Sequence, residues 1–238
     1  MSAEGLPASE PLTLIVFAFN ESSNVDTVLP PIRDWLAARS PTGQLLFIDD
    51  GSTDDTAARA QAVLAGTPGA AVLTHPKNRG IGAALKTGVR AATGTWVTFL
   101  PCDGQIAPEA LDALLTRAAH TQASLVFSVY LDRNDGLRRT LLSAGIRGLI
   151  RAAFGVSLAS DGPYLFKRSL FDPDALPPDS FFLNFEFPIR ALRRRQPFEV
   201  VSIHCRPRHA GVSKSTGWRR ILGVARDLVD LRVRMWRE

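Results

Sequence analysis

Short apolar runs that end in acidic or amide-rich turns, each followed by a helical period, fix most of what this chain can fold into. Leu12–Phe19 is apolar with one threonine and leads into Asn20-Glu21-Ser22-Ser23-Asn24. Leu45–Ile48 leads into Asp49-Asp50-Gly51-Ser52-Thr53-Asp54-Asp55, and Trp96–Leu100 into Pro101-Cys102-Asp103-Gly104-Gln105. Such runs read as strands buried on both faces, as in a parallel sheet covered by helices. Helical periods fill the intervals: Val25 to Arg39, with a kink or restart expected at Pro30-Pro31, then Thr56 to Leu64 and Ala83 to Ala92. Val72–Thr74 is a short third strand, and Asn78-Arg79-Gly80-Ile81-Gly82 a glycine-rich loop before its helix. This alternation means βαβ units, so the fold class is α/β with a mostly parallel, Rossmann-like sheet flanked by helices.

Parallel strands bring their carboxyl ends to one edge, where open α/β sheets bind ligands. Asn20-Glu21, Asp49-Asp50 and Asp103 with Gln105 would share that edge. One such cluster is ordinarily a helix cap. Three on a single edge make a crevice the better reading. A carboxylate there can accept hydrogen bonds from a base or a ribose hydroxyl. It can also bind a divalent metal that holds a diphosphate.

Beyond Gln105 the pattern predicts a helix over Pro108 to His120 and a strand over Ser124–Tyr130. An amphipathic helix follows from Leu137 to Phe154, with Leu141, Leu142, Ile146, Leu149, Ile150 and Phe154 on one side. After the Asp161-Gly162-Pro163 turn come a strand at Tyr164–Phe166, a helix from Phe187 to Arg195 with Pro188 near its start, and a strand at Glu199–His204. Pro207 to Thr216 is a polar loop. Trp218 to Trp236 is a basic amphipathic helix, with Ile221, Val224, Ala225, Leu228 and Val229 on its apolar side.

Charge divides the chain. Residues 1–100 hold seven Lys/Arg against nine Asp/Glu, and residues 101–238 hold 21 against 14. A basic second half suits an anionic membrane surface or a phosphorylated substrate. Few aromatics alternate with the arginines and no nucleic-acid motif is present, so nucleic acid is not expected as a partner. Two cysteines give no disulfide framework, and the four histidines lack zinc spacing. The polar N-terminus lacks a signal-peptide pattern and no apolar run reaches a spanning length. The expected location is cytoplasmic, with a peripheral contact on the inner face of the membrane left open.

Leu14-Ile15-Val16-Phe17-Ala18-Phe19-Asn20-Glu21, Leu46-Phe47-Ile48-Asp49-Asp50-Gly51-Ser52-Thr53-Asp54, Asn78-Arg79-Gly80-Ile81-Gly82-Ala83-Ala84 and Phe99-Leu100-Pro101-Cys102-Asp103-Gly104-Gln105 stand in this order. Together they resemble the motifs of the family 2 inverting glycosyltransferases with a GT-A fold, and the resemblance runs from Leu12 to Lys214. Arg133 to Ser143 and Arg208-His209-Ala210-Gly211-Val212-Ser213-Lys214 are most similar to dolichyl- or polyprenyl-phosphate sugar transferases. The implied organisation is a flexible N-terminus (1–11), one GT-A domain (12–216) and a C-terminal helix (217–238).

The resemblance implies a nucleotide-sugar donor, UDP- or GDP-linked, and a polyprenyl phosphate or other glycan acceptor, in cell-envelope glycan biosynthesis. Ala18, Glu21, Asp49, Asp50 and Arg79 would line the nucleotide. Asp103 and Gln105 would coordinate Mg²⁺ or Mn²⁺. Arg208, Ser213 and Lys214 would hold phosphate, and Arg133, Arg138 and Arg139 an anionic acceptor headgroup. Asp103, Arg208 and Glu186 form the catalytic set. Glu186 is either a base for an acceptor hydroxyl or the acidic half of an i,i+4 ion pair with Arg190. A phosphate acceptor, already anionic near neutral pH, needs no such base.

Three departures stand out. Pro101 replaces the aspartate usual two residues before the metal-binding one, and the lost ligand either lowers metal affinity or leaves the ion to lean on Gln105 and the diphosphate. Phe17 and Phe19 replace the usual Pro and Tyr of the first motif, and Tyr130 replaces an Arg. Two other readings stay open: the same donor chemistry onto a sugar hydroxyl, and a non-catalytic nucleotide-binding or scaffold protein. The two basic amphipathic helices either pack on the core or lie on an anionic bilayer.

Overall fold

A computed structural model describes residues 10–131, 136–160, 162–176, 183–206 and 218–237, with the side chains of 136–144, 218–225 and 237 outside the description. Seven strands form one sheet in the order β3-β2-β1-β4-β6-β5-β7. They are β1 (Leu12–Ala18), β2 (Gln44–Asp49), β3 (Ala70–Thr74), β4 (Trp96–Pro101), β5 (Leu125–Tyr130), β6 (Leu165–Lys167) and β7 (Phe198–Ile203). Only β6 runs against the rest, antiparallel to both β4 and β5. The α/β class expected from the sequence is the one observed.

The helices are α1 (Ser22–Arg39), α2 (Thr56–Leu64), α3 (Ile81–Ala91), α4 (Asp112–His120), α5 (Gly136–Phe154), α6 (Leu183–Arg193) and α7 (Trp218–Arg237). Alternation along β1 decides what each face covers. Leu12, Leu14 and Val16 pack with apolar side chains of α1, α2 and α4. Ile15 points the other way and packs in a second core with α3, α5, α6 and α7. Right-handed crossovers dictate this split. β1, β2 and β3 progress in one direction with α1 and α2 on one face; the chain then returns past β1 to β4, which puts α3 on the other. The strand order therefore reverses between β1 and β4, the switch point at which such sheets open a crevice.

Three sequence expectations are corrected. Of the kink or restart expected at Pro30-Pro31, the restart is absent: α1 runs through both prolines. They fall on its outer side, and so do Asp26 and Thr27, whose carbonyls lose their partners and can be hydrated. Val25, Val28, Leu29, Ile32, Trp35 and Leu36 bury the opposite face. Near the end of α1, Arg39 donates to both carboxylate oxygens of Asp112 at 2.9 Å. Second, α6 begins four residues before the predicted Phe187, because Leu183 is itself buried in the core; Pro188 is thus interior and Glu186 lies in the first turn. Third, Leu149 on α5 and Val229 on α7 are 57% and 63% exposed rather than inward-facing. Ile150 and Phe154 carry the α5 contact, and Leu228 with Leu231 that of α7.

Candidate active site

Strand register sets the crevice. Ala18 pairs with Asp49, and Phe17 with Pro101, so β1, β2 and β4 end level with one another. Past these ends the Asp50 amide donates to the Ala18 carbonyl at 2.9 Å, and the Cys102 amide to Phe17 at 3.0 Å. The loops bearing Glu21, Asp50 and Asp103 thus leave the sheet side by side.

The first two loops are tied together. Asn20, at φ 53°, donates its amide to Ser52 Oγ at 2.8 Å and accepts the Thr53 amide on Oδ1 at 2.8 Å. The Glu21 amide donates to Thr56 Oγ1 at 2.9 Å and the Ser22 amide to Asp54 Oδ2 at 3.2 Å. The Glu21 carboxylate accepts from Asn24 Nδ2 at 2.6 Å. Asp49, 1% exposed, accepts the Ser52 amide and closes the turn. Gly51 sits at φ 72° against the next loop; a Cβ there would lie 2.2 Å from the Lys77 carbonyl carbon, so only glycine fits.

Asp50 organises the glycine-rich loop. Its Oδ1 accepts from His75 Nδ1 at 2.7 Å and from the Arg79 amide at 2.9 Å, and its Oδ2 from the Gly80 amide at 2.7 Å. The Arg79 amide is thus anchored on Asp50, and the residue is exposed. Asp103 is 5% exposed, and its Oδ1 accepts the Gln105 amide at 3.1 Å across Gly104, at φ 72°. Cys102, beside it, has its thiol pushed up to about 12, first by burial and then by Glu21 and Asp103. Glu21 and Asp103, from different loops, both add negative potential at Cys102, which follows β4.

That negative field suits a cation. Among the described residues no three His, Cys, Asp or Glu side chains cluster as a metal centre. The donor set, one carboxylate and one amide, fits an ion such as Mg²⁺, which takes one or two protein carboxylates and completes its shell with water and substrate phosphates. Asp103 and Gln105 fit the group on those terms, and Pro101 supplies no further ligand.

β5 and β7 are parallel to each other, and β5 to β4, so the chain after β5 and after β7 leaves from the edge that carries the acids. The Arg206 amide donates to the Gln105 carbonyl at 2.7 Å. Arg133, Arg208, Ser213 and Lys214 lie outside the described residues, as do the side chains of Arg138 and Arg139. Glu186 is fully buried, and its two oxygens accept from Arg190 Nε at 3.0 Å and Arg234 at 2.8 Å. Burial raises its pKa above the ordinary carboxylate value against the pull of both guanidinium groups. The i,i+4 pair is therefore present, and α7 supplies a second arginine that sequence spacing gave no way to see.

Sequence reasoning also passed over His75, Thr87 and Lys86. His75 and Lys86 are buried, at 6% and 7% exposed. The available signal for His75 was register: Asp49 pairs with Thr74, so Asp50 and His75 are the next residues of adjacent strands.

A GT-A type sheet whose acidic loops meet at the switch point defines a glycosyltransferase fold. The chain belongs to glycosyl transferase family 2, whose family model matches residues 13–200. It is 32% identical over 107 residues to the succinoglycan biosynthesis protein ExoO of Rhizobium meliloti, covering 45% of this chain and 29% of that protein. It is 27% identical over 165 residues to the undecaprenyl-phosphate 4-deoxy-4-formamido-L-arabinose transferase of Sodalis glossinidius, covering 68% and 50%. The chain thus spans half or less of these relatives' lengths. Glucosyl-3-phosphoglycerate synthase from Mycobacterium tuberculosis, solved with Mn²⁺, uridine diphosphate and phosphoglyceric acid, matches at a TM-score of 0.71 and 24% identity, over 94% of this chain and 78% of that one.

Proposed function

We propose that this chain transfers a sugar from a UDP- or GDP-activated donor to polyprenyl phosphate, with inversion. The observation that carries the reading is the level ending of β1, β2 and β4, which gathers Glu21, Asp50 and Asp103 at the switch point. The likeness to an undecaprenyl-phosphate sugar transferase supports the acceptor class.

Ala18, Glu21 and Asp49 line the base and ribose, while Asp50 holds the Arg79–Gly80 loop against them. Asp103 and Gln105 would hold Mg²⁺ or Mn²⁺, which when bound neutralises charge on the departing diphosphate. Arg133, Arg138 and Arg139 draw in the acceptor phosphate, and Arg208, Ser213 and Lys214 hold phosphate at the crevice. An acceptor phosphate oxygen attacks the anomeric carbon as the bond to the nucleoside diphosphate breaks. The nucleophile is already ionised, so Glu186 stays in its ion pair. No helix among the described residues is long and apolar enough to cross a membrane. A peripheral contact is supported instead by the exposed Val229, Val233 and Trp236 on α7, beside exposed Arg226 and Arg232.

Incubation with UDP- and GDP-sugars, polyprenyl phosphate and Mn²⁺ should release nucleoside diphosphate, and Asp103→Ala should lower the rate at least ~100-fold. Equal release by Asp103→Ala would refute the site assignment. Nucleotide binding without turnover on any donor would favour the non-catalytic reading. The ExoO likeness keeps a sugar hydroxyl as the second acceptor class.

A further inference from the structure

We propose that His75 is a positioning residue of the donor site: held between Thr87 and Asp50, it fixes the carboxylate that anchors the glycine-rich loop. The inference rests on the donor-site reading above and adds to it a residue on a neighbouring strand end. His75 follows β3, Asp50 follows β2 and Thr87 lies on α3. One imidazole thus joins three elements around the crevice. Its Nδ1 is 2.7 Å from Asp50 Oδ1 and its Nε2 is 2.9 Å from Thr87 Oγ1.

Hydrogen-bond logic orders this chain. An ionised carboxylate only accepts, so Nδ1 carries the proton directed at Asp50. In the neutral ring Nε2 is then left to accept the Thr87 hydroxyl, which locks the ring against flipping. Asp50, so aligned, presents Oδ1 to the Arg79 amide and Oδ2 to the Gly80 amide. A histidine buried only to fill space would need neither polar partner. Here both nitrogens are matched, and the group oriented is a carboxylate at the sheet edge. Without His75, Asp50 loses one of its partners and the freedom of its carboxylate passes to the loop.

The test is calorimetry with UDP and with GDP, each with Mn²⁺, on the wild type, His75→Leu, His75→Asn, Thr87→Val and Thr87→Ser. Whichever nucleotide binds the wild type should bind His75→Leu about tenfold or more weakly, the scale of one charge-assisted hydrogen bond. His75→Asn keeps an N–H near the Nδ1 position and should recover most of the affinity. Thr87→Val should weaken binding and Thr87→Ser restore it. In steady state the loss should fall on the donor KM more than on kcat. Folded His75→Leu that binds within about twofold of wild type would overturn the proposal, as would Leu and Asn variants equally impaired. If His75→Leu does not fold, the Thr87 pair decides, and equal binding by both Thr87 variants overturns it. Wild type that binds neither nucleotide refutes the donor site itself, a failure visible before any variant is compared.

Discussion

Asp54 lies outside the crevice, yet it shapes it. Its carboxylate accepts from Ser22 at the start of α1 and from Thr56 at the start of α2, and the Thr56 hydroxyl in turn accepts the Glu21 amide. Burial acts to raise the Asp54 pKa, but the hydrogen bonds from Thr56 and Ser22 outweigh it and hold the group below its ordinary 3.8. A carboxyl depressed in the folded state stabilises above the unfolded value, and that stability is lost as pH falls through the lower, folded one. Asp54→Asn should therefore melt below wild type near pH 7, and the gap should close as pH drops under 3.8. A gap that is the same at both pH values would sink this account. At this scale the sequence told where the acids stand, but not what they hold. Asp50 reads as a ligand group in the motif. Its partners, His75 and the Arg79 and Gly80 amides, lie 25 or more residues away, and no local pattern reveals them.

Elements were more legible, because burial periodicity is local. β1, β2 and β4 announce themselves as apolar runs, and the loops after them as cap-forming clusters. Where the reading failed, packing had overridden a local preference. Buried Val28, Leu29 and Ile32 carry α1 through two prolines, and buried Leu183 starts α6 early. α3 shows the same dependence on fit. Gly88 brings it against β1, and a Cβ there would lie 2.6 Å from Ile15 Cδ1 and 2.8 Å from each Cγ, on a fully buried side chain. Gly88→Val should cost about 1–3 kcal/mol through overpacking. The expected readout is a melting temperature lower by several degrees, roughly 2–4 °C per kcal/mol for a chain of this size. An unchanged melting temperature would mean that Ile15 has room to move.

Across the whole molecule, one buried carboxylate links two helices. Glu186, on α6, holds Arg190 of its own helix and Arg234 of α7. Glu186→Gln would leave the Arg190 guanidinium, 10% exposed, without a counter-charge. Breaking a buried pair in this way costs about 3–5 kcal/mol. Melting should fall on the order of 10 °C, with turnover per folded molecule largely kept. A variant that melts like wild type but scarcely turns over would instead make Glu186 a base and the acceptor a hydroxyl. Long-range pairing of this kind is the part of the architecture a linear reading could not reach, whereas the mostly parallel sheet follows from the rhythm of strands and helices.

The short reversed strand has a consequence of its own. β6 pairs with β4 through Trp96–Lys167 and Val97–Phe166, and with β5 through Leu125–Phe166 and Val126–Leu165. One half of the sheet, β1 to β4, presents Glu21, Asp50 and Asp103 after its strands; the other holds β5 and β7, parallel to each other. A strand of three residues thus couples two parallel blocks into one continuous sheet, so a change that loosened Leu165–Lys167 would part the halves before it unfolded either.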